Sequence, residues 1–170
     1  YVSHLSAAAL NGASHQRAMA FQTIVNGGPI RSGVKNGTKL EFSLRQNMPL
    51  EFTHKVRTQS GYMTVANAEL TALDVVAEPK KVGGLSRAAE LLVELCEQTI
   101  WDESKLHLLS YFSIATIQRL GFILDMIEEH KQADSLYILM KQTGKAVRKV
   151  ALKQTAPVVD GMPMDGRWKV

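Results

Sequence analysis

At 170 residues, with 45% hydrophobic and 21% charged side chains, the chain is long enough to bury a core and too poor in charge for a disordered reading. A net charge of +4 permits contact with a polyanion without requiring one, and a single cysteine excludes an internal disulfide, so a reducing compartment is expected. No apolar run approaches the roughly 20 residues that span a bilayer and no secretory signal opens the chain, so a cytoplasmic protein without a membrane partner is expected.

Residues 2–12 place Val2, Leu5, Ala9 and Leu10 on one helical face, and Asn11-Gly12 supplies the residue types that end helices. Residues 18–26 carry the β-prone Phe21, Ile24 and Val25 before Gly27-Gly28-Pro29 breaks the strand. Residues 30–34 read as a short strand, Asn36-Gly37 is a dipeptide of tight hairpins, and residues 39–44 alternate as KLEFSL. A second hairpin is expected from residues 52–58 and 62–66 around Gln59-Ser60-Gly61.

At Asn67 the period changes. Asn67 reads as an N-cap, Glu69 as a first-turn anion, and Leu70, Leu73, Val76 and Ala77 recur at helical spacing until Pro79. Helical patterns follow over 85–98, with Cys96 on the apolar side, and over 102–112, 113–129 and 132–142. After Gly144, KAVRKVALK is a basic helical or strand-like stretch, residues 158–166 a Pro/Gly-rich loop, and Arg167-Trp168-Lys169-Val170 the start of a strand with little room to bury its indole. The expected fold is α+β, a single domain over 1–170: a small mixed, largely antiparallel sheet in 1–66, helices in 67–156 and a terminal strand at 167–170. Because the chain starts at Tyr1 directly before a helix and stops on RWKV, both ends are expected to lie inside a longer protein.

Metal binding needs converging ligands, yet His4, His15, His54, His107 and His130 are scattered without HxH, HExxH or CxxC spacing, so no metal is expected. Gly27-Gly28 and Gly83-Gly84 lack the phosphate-loop patterns and no G-x-S-x-G elbow occurs; no cofactor and no catalytic residue is expected. An enzyme-like combination is Glu41, Glu51 and Lys55, which near strand ends could hold a hydrated Mg²⁺; alternating charge on a solvated strand gives the same pattern. Glu69 and Asp74 lie about 140° apart around a helix and make no carboxylate pair. Asp74, between Leu73 and Val75, needs a partner, and Arg119 is the arginine most similarly embedded.

Basic residues gather twice: Arg31, Lys35, Lys39 and Arg45 near the first hairpin, and Lys141, Lys145, Arg148, Lys149 and Lys153 later. The spacing of Lys141, Lys145, Arg148 and Lys149 predicts one positive helix face, a candidate nucleic-acid contact and equally the composition of a solvated surface helix.

Four segments in this order resemble the C-terminal domain of the AbiEi family: LSAAALNGASHQ at 5–16, VANAELTALDVV at 65–76, GGLSRAAELLVEL at 83–95 and TIQRLGFILD at 116–125. The closing RWKV is similar to the opening of that family's last strand. The resemblance implies the antitoxin and autorepressor of a bacterial type IV toxin–antitoxin system, linked to phage resistance. It also implies a winged helix-turn-helix, absent from these 170 residues, that binds operator DNA in the full-length protein, and a nucleotidyltransferase-like toxin as partner. It supplies no catalytic residue and assigns structural roles to Gly12 and His15, Glu69 and Asp74, and Gln118, Arg119 and Gly121, with Asp74 and Arg119 as a buried pair. The expected function is therefore regulatory, with a homo-oligomer among the expected assemblies. The rival readings are a nuclease-like or degenerate phosphotransferase domain and a structural dimerisation module.

Overall fold

Small residues decide how the chain begins. In the computed structural model, which describes residues 1–13, 19–28, 30–159 and 161–170, helix α1 (His4–Leu10) buries His4, Ser6, Ala7 and Ala8. The expected face of Val2, Leu5, Ala9 and Leu10 does not form: Leu10 is exposed, and Val2 lies before the helix. Short side chains let α1 pack against β1 (Phe21–Val25) and against the helix that follows the strands.

The hairpin signal at Asn36-Gly37 is realised, with φ of 49° and 75° at the two turn residues, joining β2 (Gly33–Lys35) to β3 (Thr38–Leu44). On its other side β3 pairs in parallel with β1, giving the order β1-β3-β2. The second hairpin is β4 (Thr53–Thr58) and β5 (Gly61–Ala66), antiparallel, with Thr53 opposite Ala66 and Arg57 opposite Tyr62. Val2 bridges both groups of strands, antiparallel to Thr23 and parallel to Val65.

Asn67 caps α2 (Ala68–Ala77), its side chain accepting from the Leu70 amide at 2.9 Å, and Pro79 opens a 3-10 turn where the helix stops. Nine of the ten α2 residues are buried, so this helix is the centre of the first compact unit, Tyr1–Thr99. Helix α3 (Leu85–Leu95) completes that unit and turns Ala88, Leu91, Leu92 and Leu95 inward.

The second compact unit, Ile100–Val170, is built from α4 (Leu106–Ser110), α5 (Ile114–Met126) and α6 (His130–Gln142). Its core includes Leu108, Leu109, Ile117, Leu120, Leu124 and Leu136, each worth about 1.5–3 kcal/mol of burial. Two expectations fail here. The helical half ends at Gln142 rather than running to 156, because Gly144 takes φ 67° and its amide bonds back to the Lys141 carbonyl, a left-handed termination. Residues 167–170 form a turn instead of a strand: the Asp165 carboxylate accepts from the amides of Arg167 and Trp168, and Lys169 takes φ 57°. The Trp168 ring, for which a strand would leave little room, is fully buried. Among the described residues no helix is long and apolar enough to cross a membrane.

Candidate functional site

Helix α2 presents Asp74 to the fully buried interior of the first unit, where an unpaired carboxylate would be costly. Its partner is Arg45, immediately after β3, at 2.7 Å; Ser3 donates its hydroxyl at 2.7 Å and Tyr1 its phenol at 3.1 Å. Arg45 also donates to the Tyr1 oxygen at 2.6 Å, closing the cluster. Burial pushes the Asp74 carboxyl above its ordinary value, opposed by the Arg45 charge and the bonds from Ser3 and Tyr1. The Tyr1 phenol rises well above its usual range through burial and the nearby Asp74 charge. The expected pair of Asp74 with Arg119 is replaced: Arg119 donates its Nε to the Ala151 carbonyl at 2.9 Å. Each of these four side chains is engaged with another of the four, which makes the cluster a latch between the first residues, the end of β3 and α2.

Helix α5 does the corresponding work in the second unit. Gln118, Gly121 and Asp125 recur at helical spacing on the side that receives the closing turn. Fully buried Gln118 donates its Nε2 to the carbonyls of Arg148 at 2.7 Å and Trp168 at 2.5 Å. Asp125 accepts from the Trp168 indole at 2.6 Å, and Gly121 leaves the space that the indole fills. Arg167 pairs with Asp134 at 2.6 Å and lies over the Tyr137 and Trp168 rings, whose edge-on centroids are 5.3 Å apart.

Lys141, Lys145, Arg148, Lys149 and Lys153 do not share a helix face: only Lys141 is helical, in the last turn of α6. Lys145 folds back, its Nζ donating to the carbonyls of Leu109, Ser110 and Phe112 at 3.0, 3.5 and 2.8 Å, where α4 ends. An ammonium at the carbonyls that close α4 complements the negative end of the helix. Lys141, Arg148, Lys149 and Lys153 remain exposed, and Lys149 and Lys153 border a mostly apolar cavity of about 370 Å³ lined also by Phe122, Leu152 and Met162.

Among the described residues, no three His, Cys, Asp or Glu side chains converge to hold a metal ion. Glu41 pairs with Lys39 at 2.9 Å, Glu51 lies in the 3-10 turn Leu50–Phe52, and Lys55 lies on β4. His4 is buried at 1% exposure, 3.9 Å from Glu78; burial, aided by the charges of Lys81 and Arg45, lowers it to about 4. His15 lies outside the described residues. Gly12 takes φ 79° just beyond α1, where the Gln98 amide reaches the Asn11 carbonyl. The sequence pointed to Asp74 and to the Gln118-Gly121 stretch, but not to Arg45 or Asp125 as their counterparts, since no local pattern encodes those pairings.

The fold is thus α+β, and in each unit a buried polar cluster ties that unit's own elements together. The sequence model of the AbiEi antitoxin C-terminal domain matches residues 1–126, and the chain belongs to that family. Membership makes it a regulatory, antitoxin-type domain whose general class of partner is a toxin. No curated protein and no solved structure matches the chain. The matched range ends with α5, so α6 and the Trp168 turn lie beyond it.

Proposed function

We propose that the chain is the antitoxin-bearing part of a type IV toxin–antitoxin system, counteracting a nucleotidyltransferase-like toxin in the cytoplasm and acting with an upstream winged helix in transcriptional autorepression. The observation that carries this reading is the family match over residues 1–126. The engaged polar clusters around Asp74 and Gln118 agree with it, since they leave these side chains a structural role. Phage resistance is the physiological setting of this reading, and self-association the assembly that places a second copy on operator DNA. In that setting Lys141, Arg148, Lys149 and Lys153 contact phosphate, giving salt-dependent affinity with little base preference, while Lys145 holds the segment in shape.

Co-expression with the neighbouring toxin tests the antitoxin reading: this chain is expected to restore growth. Continued arrest with both this chain and its full-length protein overturns it. For the DNA arm, reversing the charges of Lys141, Arg148, Lys149 and Lys153 in the full-length protein should weaken operator binding, and unchanged binding removes these residues from the interface.

A further inference from the structure

The β4–β5 hairpin has two unlike faces. Val56, Met63 and Val65 turn toward the protein, whereas Lys55, Arg57, Tyr62 and Thr64 turn to solvent. The register sets Lys55 opposite Thr64 and Arg57 opposite Tyr62, so two cations, a hydroxyl and an aromatic ring form one contiguous surface without a carboxylate among them. The cations stand two residues apart on one strand, roughly 7 Å. Neither Lys55 nor Arg57 has an ion pair or side-chain hydrogen bond among the described residues, and Tyr62 is 70% exposed.

Charge alone has an ordinary use here. Among the described residues β4 pairs only with β5, and lysine or arginine on such an edge discourages pairing with another chain. That use does not call for an exposed tyrosine ring beside the arginine. A ring flanked by unpaired cations matches the chemistry of single-stranded nucleic acid, whose unpaired bases stack and whose phosphates demand positive charge. Paired bases offer no free face to the ring. An acidic protein would satisfy the cations too, and competition with polyglutamate separates that occupant from nucleic acid.

We propose that this outer face binds single-stranded nucleic acid, with a base stacked on Tyr62, Arg57 and Lys55 on backbone phosphates, and the Thr64 hydroxyl on a sugar or phosphate oxygen. The surface uses other residues than the basic segment 141–153 and does not depend on the antitoxin reading.

Fluorescence anisotropy with the 170-residue chain decides the matter, using labelled oligouridine and oligodeoxyuridine of about 12 nucleotides and a duplex of the same length. Tyr62→Ala should weaken single-strand binding about tenfold, while Tyr62→Phe retains it. Lys55→Gln with Arg57→Gln should reduce the salt slope of log affinity by about 1.4. Circular dichroism of each variant should match the parent chain, since the three substituted positions are exposed. A preference for either oligomer identifies the sugar the face takes. Absence of binding by the parent chain, parental affinity in Tyr62→Ala, equal affinity for the duplex, or displacement by polyglutamate at matched charge overturns the proposal.

Discussion

Gly121 lies on α5 where the Trp168 ring packs directly against its backbone, and a methyl group added there would occupy the position of the indole atoms Cη2, Cζ3 and Cζ2. The indole is held by its hydrogen bond to Asp125 and by edge-on contact with the Tyr137 ring, which limits how far it can yield. Gly121→Ala should therefore destabilise the second unit by about 1–3 kcal/mol, read as a lower denaturant midpoint. The sequence shows a glycine inside a helical pattern, where it weakens the helix by itself, and such a glycine signals close packing. That Trp168 is what packs there is a long-range fact, set by the turn that Asp165 makes. The same separation explains Arg45: its neighbours in sequence, Lys35 and Lys39, suggest a surface cluster, whereas the end of β3 carries it to Asp74.

Elements bounded by strong local chemistry were legible. Asn36-Gly37 gives the hairpin, Asn67 the start of α2 and Pro79 its end, because each fixes backbone geometry within a few residues. The parallel pairing of β1 with β3 was not, since the sign of a pairing depends on the path of the intervening chain. The stretch from Lys141 to Lys149 misled for a related reason: its i, i+4, i+7, i+8 spacing satisfies a helix, but Gly144 ends α6 first and the carbonyls closing α4 draw the Lys145 ammonium inward. Replacing Lys145 by methionine keeps much of the stem and removes the charge. Lys145→Met should cost about 1–2 kcal/mol in chemical denaturation, whereas Lys149→Met, at an exposed position, should cost little. Equal effects of the two would show that Lys145 is not a helix-end ligand.

For the molecule as a whole, His4 gives stability a pH dependence. Its folded value, about 4, lies below the ordinary 6.5, so above pH 6.5 the residue is neutral in both states and its contribution is complete. As pH falls from 6.5 toward 4 the unfolded chain binds a proton that the folded chain refuses, and stability drops by up to about 3 kcal/mol. Asp74, held above its ordinary value, works in the opposite sense, so the comparison of the parent chain with His4→Gln isolates the histidine. The variant should lose less stability over that interval, and parallel curves would remove His4 as the cause. The two compact units also differ in what they absorb and emit. Both tryptophans of the chain, Trp101 and Trp168, fall in Ile100–Val170, each nearly or wholly shielded from solvent. Indole emission excited selectively therefore follows the second unit, while Tyr1–Thr99 is silent in that channel and visible in far-ultraviolet dichroism. Without a label or an added probe, the loss of one unit can be timed against the other in a single sample.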